Sequence, residues 1–546
     1  MSLLIKNGTI IDGTGSERYT ADLLIHDDRI LKIGKDLPQN GAKIVDASHK
    51  VVAPGLIDMH HHGDLTIMKV NKAEATLMQG VTTLVVSVCG IGIAPANEKV
   101  RKYYDDFVAK AFGEGDMTLY DTFPDCFSAL QEKGISSNLA FMIPQGNVRA
   151  CVLGTEDRDP TPDELNEMKA LVRKGMEAGA FGLSTGLIYP PGLITPTKEL
   201  IELCKVVSNY GGIYDSHMRN EGTGVISEGM TELKEICQKA EVQGQISHWK
   251  AGSNFAWKLT PDMIEFVRQA RNEGLILYAD MYPYEEGSTS LTGALLRPWV
   301  YENFQENLTN PQTRQRVVDE TVDMFFETFL SDLPWYVRLI PKFIMKRLLF
   351  FVAKKAVRII SVVHNHHIEG LKLGEALDIL YPGEKFTDAL LNFMRDEEGS
   401  IMVSMKQMSE EKSILELIQQ EFVAIGSDGF LVEKGNTHPR SYGCFPKILG
   451  NYCREKDLFS LEEAIQRMTG LSAEILSLKD RGVLKEHKKA DLVIFDADTV
   501  IDTSTYENGR QFPNGIEYVI VNGEITVEEG KHLGILNGEI LKREKS

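Results

Sequence analysis

The chain has 546 residues, of which 43% are hydrophobic and 25% charged, the composition of an ordinary soluble globular protein. This length exceeds that of one simple domain, although a single barrel can occupy much of it. The formal net charge of -19 argues against nucleic acid as a partner, because phosphate binding requires a basic face.

Seven cysteines are scattered along the chain without the spacing of a disulfide framework, as expected in a reducing compartment. The first eight residues, Met-Ser-Leu-Leu-Ile-Lys-Asn-Gly, are typical of a strand and lack the long apolar run of a signal peptide. We therefore expect a cytoplasmic protein.

Short β segments separated by turn residues fill residues 1–55. Asn7-Gly8 and Asp27-Asp28 stand where hairpin turns are expected. Residues 490–496 and 517–524 repeat this pattern, and neither end alone has enough strands to bury a sheet face. We predict one small β-sandwich domain built from residues 1–55 and 478–546, with the rest of the chain inserted into it.

Strands and amphipathic helices alternate between residues 56 and 477, which predicts a parallel α/β fold. Eight apolar runs are candidate strands: 56–62, 82–89, 138–143, 181–186, 212–219, 244–250, 275–284 and 421–429. Eight such units are typical of a TIM-type (β/α)8 barrel, in which chemistry is found at the C-terminal ends of the strands. Residues 358–363 and 400–405 also resemble strands, and we expect a mostly helical insert at about 292–400.

Residues capable of metal binding or proton transfer stand at the ends of these candidate strands. They are His60, His62, Cys89, His217, His248 and Asp428. Alternation along a strand would place His60 and His62 on the same side, with both imidazoles aimed at one point. Taken singly, a cysteine here is more often a small buried hydrophobe, and a histidine a core residue. Their coincidence at one end of a barrel indicates a metal site.

With these residues in place, the chain resembles the amidohydrolase superfamily and, within it, the D-aminoacylase (N-acyl-D-amino-acid deacylase) family. The matching motifs are His60-x-His62, Gly80-Val81-Thr82-Thr83 leading to Cys89-Gly90, Ser184-Thr185-Gly186-Leu187-Ile188-Tyr189-Pro190-Pro191-Gly192, His217-Met218-Arg219-Asn220-Glu221, Ile246-Ser247-His248, Tyr282-Pro283-Tyr284, Gly426-Ser427-Asp428-Gly429 and His438-Pro439-Arg440. The resemblance implies a barrel with a two-ended β-domain. It also implies a zinc-dependent hydrolase that cleaves N-acyl-D-amino acids to a carboxylate and a free amino acid.

The resemblance implies that Cys89, His217 and His248 bind the tighter zinc ion, while His60 and His62 belong to a second, often weaker position. Thiolate and imidazole donors are a zinc-type set. Many amidohydrolases bridge two metals with a carboxylated lysine on strand four, but here that strand reads Phe-Gly-Leu-Ser-Thr-Gly. Cys89 is therefore expected to serve as the bridging or charge-balancing ligand.

We expect metal-assisted amide hydrolysis, in which Asp428 takes a proton from water and gives it to the departing amine. The free carboxylate of a small-molecule N-acyl amino acid needs a cation, for which Arg440 and Lys250 are the candidates. Tyr282 and Ser288 are candidate hydrogen-bond partners of the substrate. For each of these four residues, a purely structural role stays open.

Residues 333–363 are rich in aromatic and long aliphatic side chains, with basic residues among them. Arg347, Lys354 and Arg358 are predicted to form a basic stripe on one helical face beside an apolar one. Prolines and charges interrupt the run, which argues against a membrane-spanning helix. Two interpretations stay open: a helical insert packed on the barrel or on a partner subunit, and an interfacial lid in contact with a membrane surface.

Two other functions remain as alternatives. A cyclic-amide hydrolase (hydantoinase- or dihydroorotase-like) or a dipeptide hydrolase would share the barrel, and a lysine after strand four would have favoured it. A non-catalytic scaffold would keep the fold and lose the chemistry, whereas Cys89, His217, His248 and Asp428 are all present.

Overall fold

Residues 2–112, 117–297, 299–330, 342–406 and 408–544 are described by a computed structural model of the chain. The fold is a TIM-type barrel joined to a β-sandwich domain whose mixed sheet takes strands from both chain ends, as predicted. A further three-stranded sheet lies in the chain between the last two barrel strands.

The strands are β1 (Ser2–Ile10), β2 (Tyr19–His26), β3 (Arg29–Gly34), β4 (Lys43–Asp46), β5 (Val51–Pro54), β6 (Leu56–Asp58), β7 (Val81–Val86), β8 (Asn138–Phe141), β9 (Ile143–Pro144), β10 (Gly182–Gly186), β11 (Ile213–His217), β12 (Gln243–Ile246), β13 (Leu277–Met281), β14 (Gly287–Ser290), β15 (Val357–Val362), β16 (Ile401–Met405), β17 (Val423–Ile425), β18 (Leu492–Phe495), β19 (Ile516–Val521), β20 (Glu524–Glu528), β21 (Lys531–His532) and β22 (Ile540–Leu541).

The helices are α1 (Glu74–Leu77), α2 (Glu98–Tyr103), α3 (Ala109–Phe112), α4 (Phe123–Lys133), α5 (Gln145–Leu153), α6 (Pro162–Ala178), α7 (Thr197–Ser208), α8 (Thr231–Ala240), α9 (Thr260–Asn272), α10 (Leu291–Leu295), α11 (Trp299–Glu302), α12 (Phe304–Asn307), α13 (Pro311–Leu330), α14 (Lys342–Ala356), α15 (Leu373–Leu380), α16 (Phe386–Asp396), α17 (Glu411–Ile418), α18 (Arg440–Lys447), α19 (Leu461–Met468) and α20 (Gly470–Leu476).

All eight predicted barrel strands are present, as β6, β7, β8 with β9, β10, β11, β12, β13 and β17. They pair in parallel in two arcs, β6-β7-β8 and β9-β10-β11-β12-β13-β17. The arcs are joined where the Met59 N–H donates to the Ile425 carbonyl at 3.0 Å and the Phe181 N–H to the Phe141 carbonyl at 2.8 Å. Since β6 ends at Asp58, a turn and not strand alternation places the histidines that follow.

The terminal sheet has the order β21-β20-β19-β18-β5-β1-β2-β3, and its two halves join where β18 pairs antiparallel with β5. Asp27-Asp28 forms the predicted turn between β2 and β3. The turn predicted at Asn7-Gly8 is wrong, because β1 runs through these residues with a shift in register and Asn7 at φ 60°. An Asn-Gly pair tolerates the left-handed conformation that both a hairpin turn and a β-bulge require, which explains the error.

The last strand belongs to the barrel and not to the terminal sheet. β22 pairs in parallel with β8, and the Leu139 N–H donates to the Glu539 carbonyl at 2.9 Å. The C-terminal residues therefore contribute both to the terminal sheet and to the barrel wall, which the sequence pattern did not predict.

The insert between β13 and β17 contains the antiparallel sheet β14-β16-β15 as well as helices. The strand-like runs at 358–363 and 400–405 are therefore strands, but they lie outside the barrel.

The predicted basic stripe is wrong for one residue, Arg358. Helix α14 ends at Ala356, and Arg358 is buried on β15, where it pairs with Glu507 at 2.6 Å. Residues 333–341 of the predicted lid lie outside the described residues. In the described ranges, no helix combines the length and apolar character needed to cross a membrane.

Candidate metal centre

Three residues of the predicted site adopt a left-handed backbone conformation. Cys89 has φ 52°, His248 φ 34° and Asp428 φ 52°, and each lies in the turn that follows a barrel strand. Non-glycine residues pay about 1 kcal/mol or more for this conformation, and such residues concentrate at functional sites. The turns direct these side chains, together with His60, His62 and His217, toward one region at the C-terminal end of the barrel.

Cys89 lies at the centre of the imidazoles. Its Sγ is 3.2 Å from His60 Nε2, 3.7 Å from His217 Nδ1 and 3.6 Å from His248 Nε2. With Zn–S of about 2.3 Å and Zn–N of about 2.0–2.1 Å, a tetrahedral zinc ion separates sulfur from nitrogen by about 3.6 Å. The distances from Cys89 Sγ to His217 and His248 match the separation of sulfur from nitrogen on one zinc ion, and Cys89, His60 and His248 form a group whose ligand atoms all lie within 4.8 Å of one another.

The charge on Cys89 suits this role. Burial raises the pKa of the thiol, but the facing His60, together with hydrogen bonds from His217 and His248, holds that pKa well below its usual value. The thiolate is the form of cysteine that binds metals.

A second group of ligand atoms shares His60. His60, His62 and Asp428 lie within 4.8 Å of one another, with His62 Nε2 3.2 Å and His60 Nε2 3.9 Å from Asp428 Oδ1. The other carboxylate oxygen, Oδ2, is 2.7 Å from Arg440 Nη1. Burial raises the pKa of Asp428, whereas Arg440 and the histidines outweigh this and hold it well below the usual carboxyl value. Asp428 is therefore ionised and able to accept a proton.

Two carboxylates that the sequence analysis did not single out as site residues lie behind the imidazoles. Glu221 Oε1 is 3.0 Å from His248 Nδ1 and its Oε2 is 3.8 Å from His217 Nε2, while Asp280 Oδ1 is 3.6 Å from His60 Nδ1. Each ring thus turns one nitrogen to Cys89 and the other to a carboxylate. A carboxylate at hydrogen-bond distance fixes the tautomer and ring orientation of a metal-bound histidine, and Glu221 lies at such a distance from His248. At 3.6 and 3.8 Å from their carboxylates, His60 Nδ1 and His217 Nε2 make no hydrogen bond to a described residue.

A sequence signal existed for both carboxylates. Glu221 closes the motif that starts at His217, and Asp280 is a charged residue inside an otherwise apolar barrel strand. A carboxylate that is buried in such a strand needs a partner, so its position alone indicates a site.

Lys250, proposed as a cation for the substrate, is already engaged. Its Nζ is 2.8 Å from Glu221 Oε1 and 2.8 Å from His248 Nδ1, and its side chain is 9% exposed. Arg440 is buried beside Asp428, with its guanidinium 4.9 Å from the centre of the Tyr282 ring. The Arg440 Nε makes no hydrogen bond to a described residue.

Ser288, the fourth predicted substrate residue, lies on β14 opposite Ser404, in the insert sheet and not in the barrel. The adjacent Thr289 is 3.3 Å from the Tyr189 hydroxyl, and the Tyr189 ring is 5.3 Å from the His217 ring. The Tyr189 side chain thus lies between the insert sheet and the predicted metal ligand His217.

A TIM-type barrel that gathers imidazoles, a thiolate and a carboxylate at the C-terminal ends of its strands has the architecture of the metal-dependent amidohydrolases. Residues 407–527 match the model of a family described as "Amidohydrolase family". D-aminoacylase of Alcaligenes xylosoxydans xylosoxydans is 32% identical over 545 residues, covering 99% of this chain and 97% of that protein.

Solved structures agree with this comparison over the full length. A D-aminoacylase crystal structure has a TM-score of 0.79 and 28% identity, with 99% of each chain covered. The N-acyl-D-glutamate deacylase of Bordetella bronchiseptica, solved with zinc and a phosphonate inhibitor, gives the same values: TM-score 0.79, 28% identity and 99% coverage of each chain. The chain belongs to the D-aminoacylase family of the amidohydrolase superfamily, and it is a metal-dependent amidohydrolase of the deacylase type.

Proposed function

We propose that this protein is a zinc-dependent hydrolase of N-acyl-D-amino acids, releasing a carboxylate and a free amino acid. The observation that carries the proposal is the cluster of Cys89 Sγ with imidazole nitrogens at 3.2, 3.6 and 3.7 Å, beside an ionised Asp428. The substrate class is taken from the names of the relatives, which include an N-acyl-D-glutamate deacylase and an N-acyl-D-aspartate deacylase.

We assign Cys89, His217 and His248 to the tighter zinc position. His60 and His62 are assigned to a second position beside Asp428. The shared His60 nitrogen, 3.2 Å from Cys89 Sγ and 3.9 Å from Asp428 Oδ1, supports two neighbouring positions.

When bound, zinc supplies an electrophile that polarises the amide carbonyl and lowers the pKa of water. Asp428 then takes the proton of the attacking water and later delivers it to the nitrogen of the departing amine. Arg440, 2.7 Å from Asp428, keeps that carboxylate ionised until it accepts the proton. Since the carboxylate is buried, few water molecules compete for that proton.

For the substrate carboxylate, we assign Arg440 the leading role, because its Nε makes no hydrogen bond to a described residue and suits a planar anion. Tyr282, which stacks under the guanidinium, and Ser288 on the adjoining insert sheet are the proposed hydrogen-bond donors. Lys250 is paired with Glu221, so we assign it the weaker contribution.

The reaction is tested by metal analysis of the purified protein and by release of free amine from matched N-acetyl-D- and N-acetyl-L-amino acids. We expect zinc in the protein and release from D-substrates. Asp428→Asn is the control, because it should keep zinc while losing turnover. Zinc-loaded protein that hydrolyses only cyclic amides or dipeptides would overturn the proposal in favour of the alternative, which the absence of lysine on β10 already disfavours.

A further inference from the structure

One segment of the insert has a charge opposite to that of the whole protein. The chain has 78 acidic and 59 basic residues, but residues 333–368 contain no Asp or Glu. The basic residues of this segment are Arg338, Lys342, Lys346, Arg347, Lys354, Lys355 and Arg358. Positive charge is therefore concentrated where the sequence is also richest in aromatic and aliphatic side chains.

Helix α14, which occupies the middle of this segment, turns one side to the protein and another to solvent. On the inner side, the Phe350 and Phe386 ring centroids are 5.0 Å apart. On the outer side Ile344, Phe351 and Val352 remain 46%, 55% and 49% exposed. Three large apolar side chains exposed within nine residues form a patch, and such patches mark interaction sites more often than scattered single residues do.

Basic side chains border this patch. Arg347 and Lys355 are exposed on α14, and the Lys355 Nζ lies 4.4 Å from the centre of the Phe351 ring. Neither residue forms an ion pair with another described residue, so both charges are available to a partner. At 3.6 residues per turn, Ile344, Phe351 and Lys355 fall on one side of the helix. Apolar residues bordered by Lys and Arg are typical of a helix that lies in a membrane interface.

We propose that the outer face of α14 docks on the surface of an anionic lipid bilayer. Ile344, Phe351 and Val352 enter the headgroup boundary, while Arg347 and Lys355 face lipid phosphates. The charge selects this occupant: in a twofold dimer through α14, the exposed basic residues of the two copies would approach one another and repel. A bilayer carrying anionic lipids instead offers negative charge along the whole face.

The insert leaves the barrel after β13 and returns to it at β17. The docking surface therefore belongs to a segment that begins at the end of the barrel where the metal ligands gather. The docking proposal does not depend on the proposed reaction, because it concerns only the chemistry of α14.

Co-sedimentation of the full-length protein with vesicles tests the proposal. We expect binding to phosphatidylcholine vesicles that contain one third phosphatidylglycerol, weak binding to pure phosphatidylcholine, and release from the anionic vesicles at high salt. Each basic residue near the surface contributes about fivefold to partitioning, so R347Q/K355Q should lower it by about 25-fold. F351S should lower it by about tenfold through lost apolar contact.

Matched controls lie elsewhere on the surface. I276S removes another large apolar residue that is 55% exposed, and K133Q/K174Q removes two exposed basic residues, so both should bind vesicles like wild type. Unchanged melting temperature and zinc content identify the variants that fold normally, and the salt dependence of the wild type tests the proposal without any variant.

Wild-type protein that stays in the supernatant with anionic vesicles at low salt would overturn the proposal. Binding by R347Q/K355Q equal to that of wild type would do the same. Light scattering after size exclusion tests the alternative that a second copy of this chain covers the outer face of α14. A wild-type oligomer that dissociates in F351S, together with no vesicle binding, would assign the face to that second copy.

Discussion

Glu221→Gln tests whether the carboxylate behind the metal ligands matters. Glu221 Oε1 accepts from Lys250 Nζ at 2.8 Å and lies 3.0 Å from His248 Nδ1. Burial raises the pKa of Glu221, but Lys250 and the two histidines outweigh burial and hold that pKa far below its usual value. Glutamine keeps the size of the side chain while removing its charge. Lys250 would then remain as a buried cation beside His248, without a counterion.

The expected loss follows from this geometry. For Nε2 of His248 to face a metal, Nδ1 must carry the proton, and a carboxylate holds that proton better than an amide does. Mutating such outer partners lowers metal affinity by about 10–100-fold, which equals about 1.4–2.8 kcal/mol. The positive charge left on Lys250 acts in the same direction, because it repels a cation. The assay is competition for zinc against a chromophoric chelator.

Two further variants distinguish a role of Glu221 in positioning His248 from a general effect on folding. Lys250→Met should retain more zinc than Glu221→Gln, because it leaves the Glu221 carboxylate on His248 Nδ1. Glu221→Asp should restore part of the affinity if the charge is what matters. Wild-type zinc affinity in Glu221→Gln would refute the reasoning, as would a loss of affinity that tracks a loss of thermal stability.

Three further predictions concern activity and stability. Asp428→Asn should lower kcat/KM by about 10²–10⁴ while zinc at the tighter position, assigned to Cys89, His217 and His248, is retained in elemental analysis, and an equal loss of that zinc would contradict a role as the proton carrier. Dialysis against a chelator should abolish amine release, and added Zn²⁺ should restore it; full activity of metal-free protein would contradict a metal-dependent reaction. Arg149→Met should cost about 3–5 kcal/mol in chemical denaturation, because it leaves the buried Glu199 carboxylate without its ion-pair partner, and a change below about 1 kcal/mol would show that the pair matters little.

The barrel could be predicted because its strands are apolar runs separated by amphipathic helices. A strand that is buried on both faces leaves this pattern wherever it lies in the chain. The ends of the strands were harder to predict from the sequence: of the apolar run ending at His62, only Leu56–Asp58 is a strand. Apolar residues that cover the core beyond a strand look the same in sequence as residues within it, so the placement of His60 and His62 by a turn could not be foreseen.

The insert shows a different limit. Arg358 was expected on a helical face with Arg347 and Lys354, because the spacing of the three fits a helix. The helix ends two residues earlier, and Arg358 turns inward toward Gly370 and Glu507. Helical spacing predicts a shared face only while the helix continues, and β-branched residues after Ala356 (Val357, Ile359, Ile360) favour the strand that replaces it.

The predicted ligands could be found because metal chemistry restricts the residue types, whereas the carboxylate partner of each imidazole could not be assigned. The positions of Glu221 and Asp280 in the sequence indicate a site, but only the fold places them 3.0 and 3.6 Å from imidazole nitrogens. The same holds for the left-handed turns at Cys89, His248 and Asp428, whose cost the rest of the barrel must offset. A scaffold without chemistry would gain stability by relaxing these turns and replacing the buried carboxylates with apolar residues. Their presence together favours a chain that still keeps its metal ligands in fixed positions.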